Sequence, residues 1–284
     1  MNRGELAFAL ALALVFAPGL AALANAWSSL DYQSHGFLVP IVSLLAARQL
    51  ARRGPTPRRD GRGALLVAAS LLLYGLGFAA GSVTVQGLAL CGAVAGAVWY
   101  LRGPAWLRRL AFPLGYLLFL VPLPPTFVAA LVVPLLAIVT AGSVAVLGAL
   151  GAGVAREGNV IVLPGGEALF VAEACSGLTS LVTLIPIAVL IAWLAPLAAV
   201  RRLALVAVVV PVALGANLLR VVATVLGARA FGVEAVTTEP AHSLLGLSVY
   251  VVGCLLLLAA ARGLAPPRAL SRAAAPRPRP TSGP

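Results

Sequence analysis

The chain predicts an all-α polytopic membrane protein: about eight transmembrane helices, one re-entrant half-helix, and a short extracytoplasmic β-hairpin. Three observations carry this. Of 284 residues, 61% are hydrophobic and only 10% are charged, against about 25% charged in soluble domains. The mean hydropathy is +1.05. The apolar residues also fall in runs near the ~20-residue length that spans a bilayer core as helix.

Nine apolar stretches run roughly over 5–24, 36–50, 63–80, 83–101, 110–121, 126–150, 177–198, 203–227 and 243–262. The first is charged and then apolar, like a signal peptide. No clear small-x-small cleavage site ends it beyond Ala22-Leu-Ala24, so it reads as a retained helix. The stretch 110–121 is too short to cross. Arg108 and Arg109 precede it and Pro122-Leu-Pro-Pro125 follows it, and proline ends or kinks helices. It reads as the half-helix, which leaves eight crossings and places both termini on one side.

The Arg distribution sets that side. Arg48, Arg52, Arg53, Arg58, Arg59 and Arg62 fill one loop, and Arg102, Arg108 and Arg109 another. Arg201 and Arg202 fill a third, and Arg262, Arg268, Arg272, Arg277 and Arg279 the C-terminal end. Positive residues stay inside, so these loops are expected to be cytoplasmic. The net charge of +12, carried by 20 arginines and no lysine, is thereby accounted for by topology, and no nucleic-acid partner is inferred. Between Gly158 and Ala172, two β-branched and apolar runs flank Pro164-Gly165-Gly166. That is a hairpin signal, on the outer side. A single multi-pass domain is expected over 1–264, followed by a disordered, cytoplasmic Arg/Pro-rich tail over 265–284.

Ionisable residues at membrane depth are costly and mark function. Three stand out: Cys175 in Glu173-Ala-Cys-Ser-Gly-Leu178, Arg220 in Asn217-Leu-Leu-Arg220, and His242 in Pro240-Ala-His-Ser243. The topology brings all three to the outer face. Cys175 and His242 start helices. Arg220 lies seven residues below the expected helix end at Gly227, roughly 10 Å at a rise of ~1.5 Å per residue. A thiolate is the nucleophilic form of cysteine, a helix start favours an anion, and an imidazole can take the thiol's proton. A guanidinium stabilises a thiolate or an oxyanion. The implied chemistry is acyl transfer through a thioester.

Glu173, Ser176, Asn217 and His35 are candidate supporting residues. Glu173 would orient His242 or pair with Arg220, and Ser176 would help bind an oxyanion. Asn217 shares a helix face with Arg220. His35, in Tyr32-Gln-Ser-His-Gly-Phe-Leu-Val-Pro40, is the other of the two histidines and competes with His242 as base. Cys91 and Cys254 lie in apolar helix, where a thiol packs as a small hydrophobe. The cysteine spacing fits no metal pattern, so no metal or cofactor is expected.

These segments resemble the exosortase/archaeosortase family over roughly residues 30–262. The Glu173-Ala-Cys-Ser-Gly-Leu178 core with Asn217-x-x-Arg220 and His242 carries the likeness. Ser34-His-Gly-Phe-Leu-Val-Pro40, the Pro122-Leu-Pro124 run and Arg156-Glu-Gly-Asn-Val-Ile161 add to it. The resemblance implies a multi-pass cysteine transpeptidase of the inner (cytoplasmic) membrane, with its active site on the extracytoplasmic face. It would cleave exported proteins at a C-terminal sorting signal: a Pro-Glu-Pro-type motif, one transmembrane helix and an Arg-rich end. It would then pass the new carboxyl end to an acceptor nucleophile. Such systems accompany exopolysaccharide production in Gram-negative bacteria. Cys175, Arg220 and His242 fall on the family's catalytic positions. Many members carry Arg after Ser-Gly-Leu where this chain has Thr179. Two other readings compete: an intramembrane serine protease using Ser176 and His242, and a transporter with Arg220 as an anion site at a broken helix.

Overall fold

The computed structural model describes residues 3–171, 175–238 and 241–265, with backbone alone for residues 237 and 241–243. Glu173, the side chain of His242 and the tail from residue 266 therefore lie outside the described residues. The chain divides into two compact units, Met1–Leu131 and Val132–Pro284.

The first unit opens with α1 (Arg3–Ser29), a 3-10 turn over Asp31–Phe37 and α2 (Leu38–Ala51). Next come α3 (Arg62–Ala79) and α4 (Val83–Arg102), then the short α5 (Pro104–Arg109) and α6 (Ala111–Tyr116) and a second 3-10 turn, Leu117–Leu120. The helices α3 and α4 form a tight antiparallel pair. A Cβ at Gly63 would overlap the backbone of Tyr100, and one at Gly96 would stand 2.9 Å from the Val67 amide nitrogen. Small residues let apolar helices approach to backbone contact.

The expected half-helix breaks after Leu120, and its carbonyls are met by side chains from the surrounding helices. Ser43 Oγ donates to Pro113 O at 2.8 Å, Cys91 Sγ to Leu117 O at 3.5 Å, and Trp27 Nε1 to Leu120 O at 2.8 Å. Gln33 Nε2 and His35 Nε2 both donate to Phe119 O, at 3.3 and 3.1 Å, and Thr84 Oγ1 donates to Pro122 O at 2.9 Å. Non-helical backbone at membrane depth is tolerated only where protein satisfies it in this way.

In the second unit lies most of α7 (Pro125–Ala149), followed by strands β1 (Ala155–Glu157), β2 (Val160–Val162) and β3 (Ala168–Phe170). Then come α8 (Leu178–Leu194), α9 (Ala199–Ala207), α10 (Val209–Phe231), α11 (Val233–Thr237) and α12 (Ala241–Leu264). The strands make one antiparallel sheet in the order β1-β2-β3. The expected hairpin is β2–β3, turning at Pro164-Gly165-Gly166. The sequence reading missed β1, which joins β2 across Gly158-Asn159, with Gly158 at φ +61°. The sheet packs its buried face, Ile161, Leu163 and Leu169, onto Leu136, Val139 and Leu147 of α7 and Val221, Val222 and Val225 of α10. Below the sheet α8, α10 and α12 pack together around Leu184, Val209, Ala213 and Leu257.

Among the described residues, six helices are long and apolar enough to cross a membrane: α1, α3, α4, α7, α9–α10 taken together, and Leu244–Leu264 of α12. The two other expected crossings are shorter. With 14 and 17 residues, α2 and α8 reach only about 21 and 26 Å at ~1.5 Å per residue, against a hydrocarbon core of ~30 Å.

Candidate active site around Cys175

Local chemistry explains the run Cys175-Ser-Gly-Leu178. Gly177 adopts φ +87°, a conformation costly for any residue with a Cβ, and turns the chain into α8. A Cβ there would stand 3.3 Å from Leu214 Cδ2, so glycine also lets the turn sit on α10. Ser176 is fully buried, and its Oγ accepts a hydrogen bond from the Leu178 amide at 3.3 Å, meeting one of the orphan donors of the helix start. That contact uses the Ser176 hydroxyl for capping. Cys175 is half-buried, with its thiol free of any disulfide.

The position of Cys175 is fixed from α10. The side-chain amide of Asn217 donates to the Cys175 carbonyl, and Asn217 is only 1% exposed. Cys175 lines a cavity of about 40 Å³ with Ile161, Leu169, Phe170 and Val171 from the sheet side and Val221, Thr224 and Val225 from α10. The walls are aliphatic or aromatic except for Thr224, whose hydroxyl donates to the Arg220 carbonyl at 2.9 Å. At ~100° per residue, Arg220 stands about 60° around α10 from Asn217, on the side away from Val221 and Val225. There its guanidinium lies over Gly246 of α12: a Cβ at Gly246 would be 3.6 Å from Nη2 and 3.7 Å from Cζ.

Positions 242, 246, 249, 253 and 257 form one stripe of α12 at helical spacing. Val249 and Leu257 in that stripe are buried, and Gly253 packs on Leu184 of α8. The backbone of His242 is thus at the head of the stripe, one turn before the glycine beneath Arg220. Of the sequence-derived candidates, the structure bonds Asn217 directly to Cys175, while Ser176, next in the chain, bonds Leu178. The structure carries Arg220 on the same helix as Asn217, and residue 242 on the helix that Arg220 meets. Because α10 continues to Phe231, Arg220 is eleven residues before the helix end and not seven.

His35 belongs to the first unit, bonded to the Phe119 carbonyl. Burial pushes its imidazole below the ordinary value, opposed by the carbonyls of Phe119 and Tyr32. Among the described residues no group of His, Cys, Asp and Glu is arranged to hold a metal ion. Two site elements escaped the sequence reading: Thr224 and the sheet residues that roof the thiol. The spacing Asn217, Arg220, Thr224 along an otherwise apolar helix was the available signal for the first.

No curated protein and no solved structure matches the chain significantly. A family model described as transmembrane exosortase matches residues 27–259, which take in most of each unit and every site residue named above. The match spans most of the chain, and the chain belongs to the transmembrane exosortase family.

Proposed function

We propose that this exosortase is a cysteine transpeptidase acting on exported proteins at a C-terminal sorting signal of the Pro-Glu-Pro type. Family membership carries the coarser part: a multi-pass membrane protein of a sorting transpeptidase family, with exported proteins bearing sorting signals as substrates. One observation supports the finer part. Cys175 is half-buried three residues before α8, and its backbone is tied to Asn217, one turn from Arg220 on α10.

In this reading His242 takes the Cys175 proton and the thiolate attacks the scissile carbonyl. The carbonyl π pair moves to oxygen, where Arg220 meets the negative charge. Collapse breaks the C–N bond, and the leaving amine takes the proton from the His242 imidazolium, which leaves a thioester on Sγ. An acceptor amine or water then adds to the thioester, giving its proton to His242. As the tetrahedral adduct collapses, the released thiolate recovers that proton. The Arg-rich loops support a cytoplasmic-membrane location with the site on the outer face. The serine alternative is disfavoured by the Ser176 hydroxyl, which is buried and engaged in capping.

The test is processing of a co-expressed exported reporter carrying a Pro-Glu-Pro motif, a transmembrane helix and an Arg-rich end. Cleavage by the native enzyme that disappears in Cys175→Ala, with a trapped thioester adduct, is the expected result. Cleavage that survives Cys175→Ala overturns the thiol mechanism.

A further inference from the structure

The sheet above Cys175 has two edges, and they differ. The β2–β3 register pairs Val160 with Phe170 and Val162 with Ala168. The Leu163 amide bonds Glu167 O and the Val171 amide bonds Asn159 O. Hydrogen-bonded pairs alternate along an antiparallel ladder, so the bonded pairs are 159 with 171, 161 with 169, and 163 with 167. The N–H and C=O of Ala168 and Phe170 therefore point away from β2, along an edge that no other strand covers among the described residues. Both side chains on this edge are exposed, Phe170 by 69%. The opposite edge, β1, carries Arg156 and Glu157, and charged residues blunt an edge against pairing. The Ala-Leu-Phe edge of β3 has no such guard.

This unguarded edge leads to the thiol. Phe170 lines the same cavity as Cys175, and Cys175 follows it by five residues in the chain. A segment that must present a backbone carbonyl to Cys175 arrives extended, and extended peptides commonly dock by adding a strand to a free edge. We infer that the β3 edge is the substrate-docking rail: the segment ahead of the substrate's membrane helix adds as a fourth strand, bonding the outward N–H and C=O of Phe170 and Ala168. The inference rests on the transpeptidase reading and concerns how the peptide is held, apart from the chemistry that cuts it.

Binding is tested without the nucleophile. In Cys175→Ala protein also carrying Cys91→Ala and Cys254→Ala, a single cysteine is placed by Phe170→Cys or by Ala168→Cys. The probe is the Pro-Glu-Pro reporter with one cysteine moved through the ten positions ahead of its membrane helix. Strand pairing predicts disulfides at alternate reporter positions, and a shift of the pattern by two residues between the two enzyme cysteines. The sign of the shift gives the strand direction. An unshifted or non-alternating pattern, or no cross-link from a reporter that co-purifies, overturns the docking rail and leaves the Cys175 chemistry standing.

A second measurement compares Phe170→Pro with Phe170→Ala: both lose the ring, and the proline also loses the outward N–H, at a position where proline is tolerated because that group leaves the ladder. Processing should fall at least tenfold relative to Phe170→Ala at equal membrane levels. Equal rates would overturn the proposal.

Discussion

Asn217 holds the backbone of Cys175: its side-chain amide donates to the Cys175 carbonyl across 42 residues of sequence. The Asn217 side chain is buried, at 1% exposure, and Cys175 is half-buried, so the Asn217 amide has little water to replace the bond. Removing one partner of a buried hydrogen bond costs about 1–3 kcal/mol. Asn217→Ala should therefore lower the stability of the purified protein by that amount. It should also reduce reporter processing more than the stability loss explains, since it frees the turn that aims the thiol. Processing rate at matched folded fraction checks the second effect.

The turn itself is a second point of fragility. Gly177→Ala places a Cβ at φ +87° and 3.3 Å from Leu214, and left-handed backbone costs a non-glycine residue about 1–2 kcal/mol. Ser176→Ala removes the acceptor of the Leu178 amide, a hydrogen bond worth about 1 kcal/mol. Both variants should melt earlier than the native protein, with Gly177→Ala the worse, and both should retain measurable cleavage because Cys175 remains. Complete loss in Ser176→Ala at normal protein levels would return Ser176 to the chemistry.

Much of this was legible in the sequence, for physical reasons. Lipid exposure demands length and apolarity, so all nine stretches appear as helix. Pro164-Gly165-Gly166 announces its turn. The strand β1 was not legible because Ala-Arg-Glu is exposed at all three positions and shows no alternation. The partners of the broken segment were invisible for a different reason. Backbone carbonyls such as Phe119 O and Leu120 O carry no sequence signature, and Trp27, Gln33 and His35 reach them from more than eighty residues away. At the site, the spacing of Asn217 and Arg220 showed a shared face, but not that Asn217 points at Cys175.

His35 gives the first unit a pH dependence. Burial lowers its pKa from the ordinary value near 6.5, so the folded state holds the proton less tightly than the unfolded chain. Its stabilising effect is fully present above that ordinary value and is lost as pH falls below it, toward the depressed folded value. Thermal unfolding in detergent should shift downward between pH 7.5 and 5.5. The shift should be smaller in His35→Gln, which cannot titrate. An identical slope in that variant would remove His35 as the cause.

Arg220 and Gly246 make the last prediction. The guanidinium lies across Gly246 with room for a methyl group at ordinary contact distance, 3.6 Å from Nη2. Gly246→Ala should therefore be nearly silent, whereas Gly246→Leu must displace the guanidinium. If Arg220 meets the negative charge of the tetrahedral adduct, displacing it should cost what losing one preorganised donor costs, about 10²–10³-fold in rate. Arg220→Lys keeps the charge but loses the planar fork, and should fall between native and Gly246→Leu. Single-turnover cleavage of the reporter separates this from weakened binding. A Gly246→Leu enzyme that cuts at the native rate would place Arg220 outside the chemistry, leaving it to pack α10 against α12.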